Sequence, residues 1–444
     1  MRSSAVNQTA ADDPLLTSLV AQIEGCGKAL VAYSGGVDSS VLLHLMVALR
    51  RRRHIELRAA YVHHGLNPQA DSWAEHCERQ CRQWQVPFTR LDVTVDVQRG
   101  GIEAAARDAR YRALREHLLD DEVLLTAQHL DDQSETFLLA LKRGSGPAGL
   151  SAMAAQTTLG GHRLLRPLLG FSRQRLETYA RSHRLSWIED DSNRDERFDR
   201  NFLRRRILPQ LRERWPHFPA AAARSAQLCA EQEQLLDELL AESLRALSRP
   251  DGSLSIGGLA PLSPARRCAL LRRWLAERGV QMPAREQLQR LWDEVAVSRQ
   301  DADPVLQLNQ WQIRRFRQHL YALPLMQSLR ERVLAWRPPA GPLELPDGAG
   351  VLALAADGTR VRRPRAQELV SIRFSAAGRV HRVGRAGGRS MKKLWQELGV
   401  PPWWRDRTPL LFYNDRLIAA LGWFVTLEGE AKEGEPDWHI AWVK

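Results

Sequence analysis

The sequence predicts an α/β protein: a doubly wound parallel sheet over residues 1–215, a helical middle domain over 216–335, a linker at 336–350 and a small α/β domain over 351–444. Three observations carry this expectation. From Ala29 to about Arg214, short apolar runs alternate with amphipathic helical stretches, as repeated β–α units require. Long helical patterns then fill 220–300 without a convincing strand between them. Finally, RPPAGPLELPDGAG at 337–350 interrupts the chain with proline and glycine before a mixed tail.

In chain order, ALVAY at 29–33 reads as the first strand and Ser39–Arg53 as the helix after it. IELRAAYV at 55–62 is followed by a helix over Asp71–Gln85, and FTRLDVTV at 88–95 by one over Gly101–Leu119. EVLLTAQ at 122–128 leads into a helix over Leu130–Arg143. Four such units in a row predict a ligand site beyond the C-terminal ends of the strands. Farther on, AAARSAQLCAEQEQLLDELLAESLRAL and PARRCALLRRWLAERG have helical periodicity, and Asp303–Leu323 has room for short strands. Val351–Lys444 mixes short β-like runs with one helix around Met391–Leu398.

Composition narrows the class of protein. With 44% apolar and 26% charged residues, the 444-residue chain is expected to bury several cores, which argues against a disordered protein. No apolar run has the length of a membrane span, and the opening MRSSAVNQTAADD lacks the pattern of a secretory leader. Five scattered cysteines build neither a disulfide framework nor a C-x-x-C pair, so the cytoplasm is the expected compartment. The net charge is +12, and only six of the 64 basic residues are lysine. Arginine grips phosphate with a planar fork and stacks on bases, which suits a nucleic-acid partner. A GC-rich genome would give the same excess, so charge alone does not decide.

The sharpest motif is Ser34-Gly35-Gly36-Val37-Asp38-Ser39, between the first strand and its helix. Paired glycines allow a tight turn whose amides converge, and the helix N-terminus behind them favours an anion. Ser34 and Ser39 add hydroxyls; Asp38 either caps the helix or holds Mg²⁺. This is not the Walker pattern, which needs G-x-x-x-x-G-K-[ST]. SGGVDS instead resembles the PP-loop of the ATP pyrophosphatases, which cleave ATP to AMP and pyrophosphate. That resemblance implies ATP as substrate, with Mg²⁺ shielding the triphosphate.

Four more segments choose among these enzymes: YVHHGLNPQAD at 61–71, EAAARDARYRAL at 103–114, TAQHLDDQSETFLLALKRGSGPAGLSAM at 126–153 and EDDSNRDERFDRNFLRRRILPQL at 189–211. In this order they are similar to the catalytic domain of the tRNA(Ile)-lysidine synthases. The tail GRSMKKLWQELGVPPWWRDRTPLLFYNDRLIAALG at 388–422 resembles that family's last domain. The resemblance implies ligation of L-lysine to the wobble cytidine of the CAU-anticodon tRNA(Ile) through an adenylated base. It is compatible with a homodimer.

The residues make chemical sense beside the resemblance. His129, Asp132 and Glu135 share one helix face just past the fourth strand. Carboxylates there can bind a cation, steer Mg²⁺ or accept a proton from an amine. The resemblance assigns this face to lysine binding, with Asp132 and Glu135 also catalytic. Arg107 and Arg110 share another helix face, and either one near the α-phosphate would stabilise departing pyrophosphate. Equally, Arg107 has Glu103 one turn before it as an ordinary ion-pair partner. Arg200, Asn201, Arg204, Arg205 and Arg206 crowd a short helix that the resemblance sets against tRNA phosphates, and Lys392 and Lys393 in the tail are expected to add to that contact. His63 and His64 are expected to shape a nucleotide or base pocket. Cys77 and Cys81 read as half-buried helix residues, and Trp403 and Trp404 as packing residues more than base platforms.

Overall fold

Six strands organise the N-terminal half. Helix α1 (Pro14–Gln22) precedes them, a helix the sequence reading did not anticipate. Its N-cap is Asp13, which accepts the Leu15 N–H at 2.9 Å, and proline stands at its start. The expected units follow: β1 (Lys28–Ala32) and α2 (Val37–Arg50), β2 (Glu56–His63) and α3 (Ala70–Gln83), β3 (Phe88–Asp92) and α4 (Ile102–His117), β4 (Glu122–Leu125) and α5 (Leu130–Lys142). After the single turn α6 (Pro147–Leu150) comes a hairpin missed in the sequence, β5 (Gln156–Leu159) and β6 (His162–Leu165). It turns on Gly160 and Gly161, both at positive φ. Helix α7 (Arg173–Ser182) completes this layer.

The computed structural model describes residues 13–95, 102–190, 195–299, 302–337 and 341–443, in two compact units, 1–239 and 240–444. Gly101 and residues 191–194 of the fourth segment therefore lie outside the described residues. The six-stranded sheet runs β3-β2-β1-β4-β6-β5, parallel throughout except that β5 is antiparallel to β6. Side chains of β1 alternate between two cores. Ala29 and Val31, with Val123 and Leu125 of β4, pack with residues of α1, α2, α3 and α7. Leu30 and Leu124 face the other way, towards Leu114 of α4. Both faces are covered, as a doubly wound sheet demands. The chain leaves β1 for β2 on one side, while β4 lies on the other, so the strand order reverses there. Val31 pairs with Leu125, and the loops leaving β1 and β4 start side by side.

Helices α8 (Asp199–Phe202) and α9 (Leu208–Arg214) are joined by a π-helical turn over Leu203–Ile207, and the 30-residue α10 (Phe218–Leu247) follows. In the second unit, β7 (Leu254–Ser255), β8 (Val305–Leu308), β9 (Trp311–Phe316) and β10 (His319–Pro324) form an antiparallel sheet in the order β7-β10-β9-β8. Helices α11 (Ile256–Leu259), α12 (Pro264–Glu277) and α13 (Arg285–Arg290) accompany it. The middle region is therefore mixed rather than helical throughout. Its strands turn alternate apolar residues, Leu306, Leu308, Ile313 and Leu320, into the core around Trp274.

The last part is strand-rich. β11 (Val333–Ala335), β12 (Leu343–Glu344), β13 (Val351–Arg362), β14 (Val370–Arg373), β15 (Arg379–Val380) and β16 (Arg389–Ser390) lead to the helices α14 (Met391–Glu397) and α15 (Pro402–Arg405). β17 (Leu410–Tyr413), β18 (Arg416–Ala420), β19 (Phe424–Val425) and β20 (Asp437–Val443) close the chain. Five of these strands build the sheet β11-β14-β17-β18-β19 and three the sheet β12-β13-β20. The Pro- and Gly-rich stretch is not a bare span here: Trp336, Leu345 and Ala349 sit in the same core as Leu352 and Ile440. Residues 338–340 of that stretch lie outside the described residues. Trp403 is buried, its ring 5.0 Å from that of Tyr321, so it packs. Among the described residues, no helix is long and apolar enough to cross a membrane.

Candidate active site

The phosphate loop leaves β1 and is folded back on itself. Gly35 has φ +79°, and a Cβ there would collide with Ile188 and with the buried Cys77 sulfur. Only glycine fits. The Gly35 carbonyl accepts the Ile188 N–H at 2.9 Å, which ties the turn to the chain beyond α7. Ser39 donates to the Gly36 carbonyl at 3.1 Å and lies 3.1 Å from the Ser34 hydroxyl, so the two serines brace the loop. Gly36, not Asp38, is the N-cap of α2, and no side chain caps that helix. The amides of Val37 and its neighbours are left for a ligand.

Asp38 thus has a different task from capping. Its Oδ1 is buried and has no hydrogen-bond partner among the described residues, while Oδ2 lies 3.5 Å from His129 Nε2. Burial alone would raise its pKa, but His129, Arg173 and Arg204 prevail and hold the carboxyl below its ordinary range. His129 is the N-cap of α5 and is 1% exposed. Its Nδ1 accepts the Asp131 N–H at 3.2 Å, and Asp132 returns the bond by accepting the His129 N–H at 3.0 Å. That leaves Nε2 facing Asp38 and Asp132, each at 3.5 Å. Burial works to strip a proton from this ring; the two carboxylates outweigh it and raise its pKa.

Farther along α5, Glu135 is fully buried, and burial pushes its carboxyl up while Arg204 pulls it back. Arg204 grips Glu135 through Nε at 2.7 Å and Nη2 at 2.9 Å, and reaches Asp132 at 3.1 Å. Arg200 donates to Thr136 Oγ1 at 3.0 Å and passes 3.5 Å from Glu135. These two arginines, expected to contact tRNA, therefore point into the carboxylate face of α5. The π-helical turn widens the helix where Arg204 leaves it. Arg205 and Arg206 lie on the exposed side near Glu196, Arg206 at 3.0 Å from both of its oxygens. Asn201 bonds the Asp195 carbonyl at 2.9 Å. Lys392 and Lys393 are exposed on α14 in the other unit.

Arg107 lies over the Tyr111 ring at 5.1 Å. Arg110 is close enough to His64 for its charge, after burial, to push that imidazole's pKa down to about 4. His64 is therefore neutral, and both its ring nitrogens are buried without a partner among the described residues. His63, at the end of β2, lies 3.4 Å from Asp71 and 3.5 Å from Asp92. Cys77 and Cys81 are fully buried rather than half-buried, and desolvation raises both thiols.

The sequence reading missed two buried residues of α5. Asp131 accepts the Arg173 N–H at 2.7 Å and pairs with Arg212, joining α5 to α7 and α9. Gln133 both donates to and accepts from the Met153 backbone, at 2.8 and 2.9 Å. Their only signal was polarity, since two residues apart they lie on different sides of the helix and form no shared face.

Comparison with known families covers both units. A PP-loop domain matches residues 11–211, a TilS substrate binding domain residues 254–321 and a TilS substrate C-terminal domain residues 370–442. The tRNA(Ile)-lysidine synthase of Pectobacterium atrosepticum is 71% identical to this chain over 99% of its length and 100% of the relative's. Those of Serratia proteamaculans and Edwardsiella ictaluri are 61% and 60% identical, over 98% and 95% of this chain and 99% and 97% of theirs.

Proposed function

The chain belongs to the tRNA(Ile)-lysidine synthase family, and we propose how its residues divide the work of forming lysidine. The enzyme is an ATP-using ligase acting on tRNA. The wobble cytidine of the CAU anticodon attacks ATP through its O2 at the α-phosphorus, and pyrophosphate leaves. The ε-amine of L-lysine then attacks C2 of the adenylated base, AMP departs with the former O2, and the amine's proton is lost to a base. The product reads AUA as isoleucine instead of AUG as methionine.

The observation that supports this reading is the meeting of two loops at the strand-order reversal. One offers open amides at Gly36–Val37, and the other offers His129, Asp132 and Glu135. The triphosphate lies on the loop Ser34–Ser39 and the α2 N-terminus. Asp38 would hold Mg²⁺, since an ionised carboxylate with a buried, unpartnered oxygen suits an ion that is bound through one or two carboxylates. When bound, that ion offsets the charge of the leaving pyrophosphate. Asp132 and Glu135 receive the lysine nitrogen, and the raised proton affinity of Glu135 suits it to take the proton. His129 holds Asp38 and Asp132 in register between the two half-sites. Arg110, beside His64, is the arginine set nearer the base pocket, and Arg107 the outer one. Arg205, Arg206, Lys392 and Lys393 meet RNA phosphates, joined by Asn201, Arg200 and Arg204 where the RNA reaches the mouth of the site.

Transfer of radiolabelled lysine to a CAU-anticodon tRNA(Ile) transcript, with ATP and Mg²⁺, tests the assignment. Label is expected on that transcript and not on an elongator methionine tRNA. Pyrophosphate release without incorporated label would return the choice of nucleophile to another amine or to sulfur.

A further inference from the structure

The ring of His129 stands between carboxylates on both sides. Its Nδ1 lies 3.5 Å from Asp131 Oδ2, and its Nε2 lies 3.5 Å from Asp38 and 3.5 Å from Asp132. The residue is 1% exposed, so the carboxylates rather than water compete for the ring proton. A neutral imidazole carries one proton, and the nitrogen that holds it donates while the other accepts. Either side has an acceptor ready. What each carboxylate already holds decides where the proton goes.

Asp131 finds its donors elsewhere. It accepts the Arg173 N–H at 2.7 Å, where α7 begins, and its other oxygen pairs with the Arg212 guanidinium of α9. Its own N–H points at Nδ1 from 3.2 Å, a bond that a protonated Nδ1 would not accept. Asp38 is the opposite case, with one buried oxygen unpartnered among the described residues. The proton therefore sits on Nε2, facing Asp38 and Asp132. The balance hangs on Arg212. Without that cation Asp131 becomes a buried anion short of a donor, right beside Nδ1, and draws the proton to that nitrogen.

We propose that Arg212 is a positioning residue for lysidine formation: by engaging Asp131 it keeps the His129 proton on Nε2, where that proton holds Asp38 and Asp132 in place. This inference rests on the reading of Asp38 and Asp132 as working carboxylates of the two half-sites. Arg212 bonds to neither of them and acts through two intervening side chains. With Nε2 bare, its lone pair faces two carboxylates, acceptor against acceptor, and both turn away. A histidine in the wrong tautomer is a recognised way to lose catalysis while the fold survives.

Nitrogen-15 spectra of the full chain with labelled histidine show which ring nitrogen carries the proton, and His129→Gln identifies the signal among the 13 histidines. They are recorded at about pH 9, above the ordinary histidine range. Nδ1 is expected to be bare in the wild type and protonated in Arg212→Gln. Transfer of labelled lysine to the CAU tRNA(Ile) transcript is expected to slow about tenfold or more in that variant. Arg212→Lys retains the charge and is expected to leave Nδ1 bare. The double variant Asp131→Asn/Arg212→Gln buries no lone charge and tests the idea even where the single variant unfolds. It is expected to keep Nδ1 bare and to retain at least about a third of the wild-type rate. A protonated Nδ1 in the wild type overturns the proposal, and so does a bare one in Arg212→Gln. A double variant slowed about tenfold overturns it too, because Arg212 is then only a tether between α5 and α9. Asp38→Asn and Asp132→Asn test the underlying reading apart from this: full transfer by either defeats the site assignment, whereas the spectra judge the tautomer alone.

Discussion

His64 shows how much one side chain's surroundings decide. Neutral at working pH, it offers one ring N–H and one ring acceptor, both without protein partners among the described residues, beside Arg110. Its proton affinity also has a thermodynamic consequence. The unfolded chain takes up a proton near the ordinary histidine value of 6.5, whereas the folded protein resists until about pH 4. Between those limits the unfolded state binds more protons, so stability falls as the pH drops through that window. His64→Gln should remove this share: from pH 7 to pH 4 the variant should lose about 2 kcal/mol less unfolding free energy than the wild type in urea titrations. Parallel losses in both proteins would mean that His64 is solvated in the folded state.

At the scale of elements, the strand–loop–helix around Gly35 is the most constrained piece of the molecule. Gly35→Ala forces a left-handed backbone on a residue with a Cβ and drives that Cβ into Ile188 and Cys77. A cost of about 2–3 kcal/mol is expected in chemical denaturation, together with a weakening of ATP binding by well over about tenfold. ATP binding that survives unchanged would show that the loop amides are not the phosphate cradle. This element and the four β–α units were legible because each carries its own local signal: an apolar run, paired glycines, an amphipathic helix. The β5–β6 hairpin was less so, although Gly160-Gly161 between TTL and HRLL has the composition of a hairpin turn. The inward aim of Arg204 had no local signal at all. RNFLRRRIL reads as a solvated basic helix, and only the π-helical turn and the buried Glu135 across from it turn two arginines of four, Arg200 and Arg204, inward.

At the scale of the whole molecule, the PP-loop match lies in the first unit and both TilS substrate-domain matches lie in the second. A chain cut after Leu247 keeps α10 entire together with the cores of the first unit. It should still release pyrophosphate with a CAU anticodon hairpin, yet lose the preference for tRNA(Ile) over tRNA(Met), whose anticodon is the same. Undiminished preference in a transfer assay would place discrimination inside the first unit. The strand order has a consequence at the ribosome. β1, β2 and β3 can join as soon as residue 92 has emerged, but β1 acquires its other neighbour only with Glu122–Leu125. For the roughly 30 residues made in between, a few seconds at about 5–20 residues per second, the nascent chain carries an open parallel edge through Ala29, Leu30 and Val31. Slow codons within α4 would lengthen that exposure, and the growing chain is then a natural client for a chaperone that binds extended apolar segments.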